Sequence, residues 1–270
     1  MKKKSHLKGK IGSAVLTLLT ILVFFFLYFT IFVMIAFSFN NQDHNYYWAG
    51  FTLKWYVKLF TNSSIMKYVS TSIIVAVVST VVSVIIGTVG AVGLQRFEFK
   101  LKKLINNSLY IPIVIPEIVL GISLLMLFET TDFPLGTAAM ILAHCTFCIP
   151  FVLVTVRGRI AGVDMSAEEA SYDLGANRLQ TLIKVTIPML MPAIISATFL
   201  AFTLSIDDVI ISNFVAGSRT TTLPVKVLST VRSGLTPEIN ALYTIMIAII
   251  IVGMLCNSLL QRILRKKEVL

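Results

Sequence analysis

Residues 69–94 read VSTSIIVAVVSTVVSVIIGTVGAVGL, a run without a charged side chain. An α-helix of about 20 apolar residues crosses the hydrocarbon core of a bilayer, so this run predicts a membrane span. Five other apolar stretches satisfy the same criterion. The six predicted spans cover residues 11–39, 69–94, 104–128, 135–156, 188–214 and 239–260. We therefore expect an all-α polytopic membrane protein whose residues 1–270 form a single transmembrane domain.

The composition and the placement of basic residues agree with a membrane protein. Hydrophobic residues make up 56% of the chain and charged residues only 13%, far from the balance of a soluble domain. The net charge of +10 would suggest nucleic acid in a soluble protein, but the basic residues lie between apolar blocks. With the N-terminus inside, the outer segments hold only Lys54, Lys58, Lys67, Arg219, Lys226 and Arg232, and the other 17 basic residues are inside. The positive-inside rule then predicts cytoplasmic termini, with lipid rather than nucleic acid as the partner of the basic clusters.

The sequence predicts neither a nucleotide site nor a metal site. It contains no G-x-x-x-x-G-K-[ST] or G-x-G-x-x-G motif, so we expect any ATP to be bound by another polypeptide. Cys145 and Cys148 form a C-x-x-C after His144, but they lie inside an apolar stretch without further ligands. We interpret them as buried packing residues and expect no metal and no cofactor. We do not expect a membrane enzyme, because no nucleophile and base occur together on one side of the membrane.

Two further features concern packing and the outer surface. Gly87, Gly90 and Gly93 recur every three residues, and small side chains at such spacing let membrane helices approach closely. Residues 40–68 contain Trp48, Trp55 and Tyr56, which predict an interfacial helix at the outer surface. That segment either anchors the protein at the membrane surface or helps an external partner to dock.

The longest inner connection, residues 157–187, predicts two short helices. Ser166 followed by Glu169 is a capping-box pattern, and Gly175 after Leu174 supplies the left-handed residue that ends a helix. Asn177 followed by Gln180 repeats the start signal, before Pro188 opens the fifth span. The loop therefore reads as a helix, a glycine turn and a second helix.

This loop resembles a known motif. Glu169-Ala170-Ser171, three residues, Gly175, nine residues and Val185-Thr186-Ile187-Pro188 is similar to the E-A-A, G, I-x-L-P loop of ABC importer permeases. Ser171, Val185 and Ile187 are mild departures from it. The resemblance implies the type I (MetI-like) importer fold and a coupling role, in which the loop docks on the ATPase. By that resemblance, the coupling residues are Glu169, Ala170, Ser171, Asp173, Gly175 and Pro188.

Acidic residues within the predicted spans suggest a cationic substrate. Charged groups inside a bilayer are costly and usually face a cavity or a partner. Glu117 lies about midway along the third span, just past Pro112 and Pro116, which are expected to break the regular helix. Asp207 and Asp208 follow Ser205 in the outer part of the fifth span. A shared path would have an acidic lining, with Glu129, Asp132 and Asp43 near its entrance. Alternatively, Glu117 pairs with a buried group such as His144, and both aspartates only reach the outer surface.

Over nearly the whole chain the pattern resembles the spermidine/putrescine branch of ABC importer permeases. The residues that carry this resemblance are Trp48-x-Gly50-Phe51-Thr52-x-x-Trp55-Tyr56, Pro116-Glu117-Ile118-Val119, His144-x-Thr146-Phe147-Cys148-x-Pro150-Phe151, Phe202-Thr203-Leu204-Ser205-Ile206-Asp207-Asp208-Val209, Leu223-Pro224 and Ser233-Gly234-x-x-Pro237-Glu238-Ile239-Asn240-Ala241. The family commonly has an aspartate where this chain has Glu117.

That resemblance implies a set of partners and a substrate path. The partners are a second, related permease forming a heterodimer, two ATPase subunits, an external polyamine-binding protein and the polyamine itself, at a bacterial cytoplasmic membrane. The implied path residues are Trp55, Glu117, Ser205, Asp207 and Asp208. Another small cationic or amino-acid-like substrate is the nearest alternative. A secondary transporter is a more distant one, because matching broken helices in two halves are not found.

Overall fold

The computed structural model describes residues 2–43, 47–164, 166–218, 220–231, 236–249 and 251–252. Within these ranges the chain is helical. The helices are α1 (Lys2–Phe37), α2 (Lys54–Thr61), α3 (Ser63–Arg96), α4 (Lys102–Ser108), α5 (Ile111–Val114), α6 (Glu117–Thr130), α7 (Thr137–Ile160), α8 (Ser166–Asp173), α9 (Arg178–Thr181), a π-helical turn (Leu182–Thr186), α10 (Ile187–Ile206), α11 (Ile210–Val215), α12 (Leu223–Val231) and α13 (Pro237–Ile249). The chain forms two compact units, residues 1–63 with 230–270 and residues 64–229.

Long apolar helices confirm the polytopic all-α prediction. Four helices of the described part are long and apolar enough to cross a membrane: Val15–Phe37, Ser63–Arg96, Thr137–Ile160 and Arg178–Ile206. The bent pair Lys102–Val114 and Glu117–Thr130 makes a fifth span if its halves cross together. For the sixth predicted span, 239–260, the structure shows the apolar helix Pro237–Ile249, and residues 253–260 lie outside the described residues. The count of six stays a prediction.

The third predicted span, 104–128, is a broken helix. Its two halves meet at an angle of 111°, because Ile115 and Pro116 are extended, with ψ of 134° each. The residue before a proline is pushed out of the α region, which ends the first half at Val114. The break that the prolines predict is thus present at Pro116, and Glu117, midway along the predicted span, is the first residue of α6.

The fifth predicted span, 188–214, also differs from the observed helix. The continuous helix begins ten residues earlier, at Arg178, and ends at Ile206. The second helix predicted for the loop therefore forms the first turns of this long helix. It includes the π-helical turn Leu182–Thr186. Asp207, Asp208 and Val209 then interrupt the helix before α11 begins.

In the unit of residues 1–63 and 230–270, the segment after α1 folds back on the end of that helix. Phe39 stacks on Phe51 with ring centroids 5.2 Å apart, and the Tyr56 and Ser38 hydroxyls are 2.7 Å apart. Trp55 is 3% exposed, and its indole N–H donates to the Asn40 carbonyl at 2.6 Å. The predicted aromatic helix is thus present as α2, and its tryptophan is buried.

In the unit of residues 64–229, α7 is the central helix. Its buried residues include Met140, Ala143, Cys148, Val152 and Val156, which pack in one apolar core with residues of α3 and α10. Both Cys145 and Cys148 are buried free thiols, as the packing interpretation expects.

Two of the three predicted small-residue positions on α3 face α7 closely. A Cβ added at Gly87 would lie 2.7 Å from Cγ1 and 2.8 Å from Cβ of Val152. A Cβ at Gly90 would lie 3.1 Å from Leu153 Cδ1, whereas one at Gly93 would meet nothing within 4 Å. Close approach therefore accounts for Gly87 and Gly90 and does not account for Gly93.

We expect Gly87→Ala to destabilise the protein and Gly93→Ala not to. The first change forces a methyl group against the branched Val152, and overpacking of this kind costs about 1–3 kcal/mol. The second only exchanges glycine for the better helix former, worth up to about 1 kcal/mol. Thermal unfolding of the two purified variants in detergent checks the pair. Equal midpoints for both would contradict the close contact with α7.

Candidate functional site

Three of the predicted path residues line one cavity. It has a volume of about 310 Å³ and is lined by Glu117, Phe147, Thr203, Leu204, Asp207, Asp208, Val209 and Ile210. The break at Pro116 places Glu117 at the start of α6, and the end of α10 places both aspartates in the following turn. Two helix interruptions far apart in sequence thus bring three carboxylates together. We call this space the acidic cavity.

Beside the cavity, His144 is the centre of a buried hydrogen-bond network. Its Nδ1 is 2.6 Å from Ser205 Oγ, and its Nε2 is 2.9 Å from Ser212 Oγ. Asp208 Oδ2 lies 3.2 Å from the same Nε2, and Ser205 Oγ continues the chain to Ser79 Oγ at 2.9 Å. His144 is fully buried. We call these five residues, from α3, α7, α10, α11 and the turn before α11, the His144 network.

The two aspartates have different surroundings. Asp208 is 9% exposed and accepts backbone N–H groups of Ile211 at 3.2 Å and Ser212 at 2.7 Å, besides its contact with His144. Asp207 and Glu117 are exposed. Asp208 therefore has its acceptor capacity used within the protein, while Asp207 and Glu117 present their carboxylates to the cavity.

This arrangement corrects the alternative in which Glu117 pairs with His144. Both ring nitrogens of His144 are engaged by Ser205, Ser212 and Asp208. The sequence does not indicate that Asp208 and Ser212 contact His144, because the turn after α10 brings these two residues to it. Ser205, predicted as a path residue, is 3% exposed and belongs to the His144 network.

The remaining predicted path and entrance residues are Trp55, Glu129, Asp132 and Asp43. Trp55 belongs to the unit of residues 1–63 and 230–270, where the ammonium groups of Lys54 and Lys58 lie 4.6 and 5.2 Å from its ring centroid. Glu129 and Asp132, at the far end of α6, are exposed. Asp43 is exposed as well and pairs with Lys54 at 3.7 Å. Within the unit of residues 64–229, Glu129 and Asp132 do not line the acidic cavity.

The loop between α7 and α10 has the helix and glycine turn that the sequence predicts. Gly175 has φ of +85°, a conformation that costs residues with a Cβ about 1–2 kcal/mol. Its N–H donates to the Tyr172 carbonyl, and the Ala176 N–H donates to the Ser171 carbonyl at 3.0 Å. These bonds end α8 after Asp173.

The starts of the two loop helices differ in how far they match the prediction. At α9 the capping box of Asn177 and Gln180 is confirmed, with both hydrogen bonds at 2.9 Å. At α8 the expected partnership of Ser166 with Glu169 is replaced. The Ser166 N–H and hydroxyl donate to the Asp164 carboxylate at 3.0 and 2.8 Å, and these bonds lower the pKa of Asp164.

The predicted coupling residues form an exposed surface. Glu169, Ala170, Asp173, Gly175 and Pro188 are exposed, and Ser171 is half-buried, with its hydroxyl 2.9 Å from that of Thr181. Leu174, beside the glycine turn, is 89% exposed, and Leu179 of α9 is 63% exposed.

The acidic residue that anchors α8 is Glu168, which the sequence analysis did not single out. Glu168 is 4% exposed, and its carboxylate forms an ion pair with Arg96 at the end of α3 and accepts the Thr186 hydroxyl at 2.7 Å. Arg96 also donates to Thr186 Oγ1 at 2.8 Å. The motif assigns importance to the adjacent Glu169, whereas the residue that forms the buried ion pair is Glu168. We call Arg96, Glu168 and Thr186 the Glu168 cluster.

Curated relatives match this chain over most of its length. The spermidine/putrescine transport system permease protein PotC of Escherichia coli K12 is 39% identical over 240 residues, covering 89% of this chain and 91% of that protein. The putrescine transport system permease protein PotI of the same strain is 40% identical over 250 residues, covering 90% and 89%. A PotC homolog of Mycoplasma genitalium is 34% identical over 205 residues, covering 73% and 70%.

Solved structures show the same fold. A chain of a bacterial ABC transporter involved in the import of the acidic polysaccharide alginate superposes with a TM-score of 0.71 at 16% identity, covering 92% of this chain and 96% of that one. A chain of the MetNI methionine ABC transporter gives 0.57 at 17% identity, covering 79% and 98%. The family described as "Binding-protein-dependent transport system inner membrane component" matches residues 83–269. The chain therefore belongs to this family of multi-pass inner membrane transport subunits.

Proposed function

We propose that this chain is the permease subunit of an ABC importer for polyamines in a bacterial cytoplasmic membrane. The observation that supports a polyamine substrate is the acidic cavity, in which the exposed carboxylates of Glu117 and Asp207 can contact a cation. The relatives named for spermidine and putrescine transport support the same substrate class. The whole of residues 1–270 acts as one transmembrane domain with both termini in the cytoplasm.

The chemistry of the cavity suits an extended polycation. A protonated amine leaving water needs acceptors that replace its hydration, and carboxylates at successive positions provide them. Glu117 and Asp207 contact amine groups, while Asp208 and Ser205 keep the cavity wall in place through the His144 network. Phe147, which lies 5.4 Å from His144 between ring centroids, adds an apolar wall for the methylene segments. Trp55 stays a predicted path residue.

The exposed loop couples this cavity to ATP hydrolysis by a separate subunit. The coupling residues of the loop dock in a groove of the ATPase together with Leu174; they are Glu169, Ala170, Ser171, Asp173 and Gly175. Pro188 lies near the start of α10, in the helix that moves with the loop. The complete importer contains a second, related permease, two ATPase subunits and an external polyamine-binding protein. This chain itself is not the enzyme.

Transport by the reconstituted complex tests the proposal. Proteoliposomes that contain this chain, its partner permease, the ATPase and the binding protein are given labelled spermidine, putrescine, arginine or methionine, with ATP inside. We expect ATP-dependent uptake of the polyamines and not of methionine. Uptake of arginine without polyamines would replace the substrate class by cationic amino acids, and uptake of none of the cations would refute the proposal.

A further inference from the structure

The attachment of α8 to the rest of its unit is polar. Glu168 is the one buried residue among the eight of α8, and the second contact is the 2.9 Å hydrogen bond between Ser171 and Thr181. An apolar helix face could slide along its neighbour, whereas an ion pair with fixed hydrogen bonds holds one geometry. The position of α8 therefore depends on the Glu168 cluster.

Both elements bound by Glu168 extend to the His144 network. Thr186 lies in the continuous helix Arg178–Ile206, whose far end carries Ser205. Arg96 ends α3, the helix that carries Ser79. Helix geometry of 1.5 Å per residue separates Thr186 from Ser205 by about 28 Å. Two helices thus join the base of α8 to the pair of hydroxyls beside the acidic cavity.

The helix that starts at Arg178 contains a π-helical turn at the level of Thr186. Residues Leu182–Thr186 form this turn, and π-helical turns inside α-helices are frequently found at functional positions. The Thr186 hydroxyl also lies 3.4 Å from the Thr181 carbonyl, so the cluster and the turn share one residue. A shift of Glu168 acts directly on this irregular part of the helix.

We propose that the Glu168 cluster transmits movement of the coupling loop, residues 157–187, to the acidic cavity. Glu168, Arg96 and Thr186 are positioning residues, since they act on the cavity through α3 and α10 and contact no substrate in this role. The inference rests on the proposed coupling function of α8. It extends that function by naming the contact through which α8 moves the membrane helices.

The test compares variants of the cluster with a control variant that removes the exposed Glu98 carboxylate, two residues from Arg96. Glu168→Gln and Thr186→Val each remove part of the cluster, while Glu98→Gln removes a carboxylate that is 87% exposed and pairs with Lys102 at 2.6 Å. In the assembled complex we expect Glu168→Gln and Thr186→Val to keep the ATPase bound yet to lower the amount of substrate transported per ATP hydrolysed roughly tenfold. Glu98→Gln should match the wild type.

The double variant Arg96→Met/Glu168→Met separates transmission from stability. Replacing both members of a buried ion pair by apolar residues of similar volume is often neutral or stabilising. We expect the double variant to recover thermal stability while transport per ATP stays low. Recovery of normal transport per ATP in this variant would overturn the inference, because stability alone would then explain the single variants.

Hydrogen exchange gives a readout that does not depend on the substrate. In the wild-type complex, ATP binding should change amide exchange both in α8 and around Ser205. In Glu168→Gln it should change exchange in α8 alone. Changes at both places in the variant would refute transmission through the cluster, even if polyamines prove not to be the substrate. Absent polyamine uptake with these exchange results would refute only the proposed substrate.

Discussion

Asp207→Asn is expected to lower polyamine uptake by roughly 10- to 100-fold without loosening the fold. A hydrogen bond to a charged group contributes about 1.5–3 kcal/mol, and each 1.4 kcal/mol corresponds to about a factor of ten. Asp207 is exposed in the acidic cavity and is not held by the His144 network. Its amide replacement therefore removes a cation contact and leaves the packing unchanged. Initial rates of labelled spermidine uptake in the reconstituted complex measure the effect.

Asp208→Ala provides the matched comparison at the neighbouring carboxylate. Asp208 accepts two backbone N–H groups at the start of α11 and contacts His144, so its loss leaves buried donors unsatisfied at about 1–3 kcal/mol. We expect a lower unfolding midpoint for this variant and an unchanged midpoint for Asp207→Asn. If Asp207→Asn transports spermidine at the wild-type rate, Asp207 does not contact the substrate.

Those two residues also show what the sequence predicts and what it leaves open. The apolar stretches and the prolines before Glu117 predict the spans and a break in the third one, because both depend on local backbone and hydration physics. The pairing of His144 with Asp208 depends on where a turn places one carboxylate after α10 ends. Neighbouring aspartates have the same local signals, and only the folded chain separates a structural role from an exposed one.

In the loop of residues 157–187 too, the sequence predicts features that depend on adjacent residues and not contacts with distant ones. Gly175 and the Asn177 capping box were predicted because turn and cap chemistry are read from adjacent residues. Glu168 was missed since its partners, Arg96 and Thr186, lie 72 and 18 residues away. The motif marks Glu169, which is exposed. Sequence spacing thus identified the exposed residues that we propose dock on the ATPase, and not the contact that holds α8 in place.

Gly175→Pro is expected to leave membrane insertion intact and to abolish stimulated ATP hydrolysis in the assembled complex. Proline fixes φ near −65° and has no N–H, whereas Gly175 has φ of +85° and donates its N–H to Tyr172. The turn that ends α8 cannot form with proline. No atom lies within 4 Å of the position of a Cβ at Gly175, so the change acts on the backbone of the loop and not on its neighbours.

A series of substitutions at Gly175 tests whether the loss of stimulated ATP hydrolysis is caused by loss of the left-handed backbone conformation. Asparagine adopts positive φ more readily than other residues with a Cβ, so Gly175→Asn should retain most of the stimulated hydrolysis. Gly175→Ala, strained by about 1–2 kcal/mol, should lie between asparagine and proline. The amount of each variant in the membrane fraction and the ATPase that co-purifies with it are measured beside hydrolysis. Full stimulated activity of Gly175→Pro would show that the glycine turn has no part in coupling.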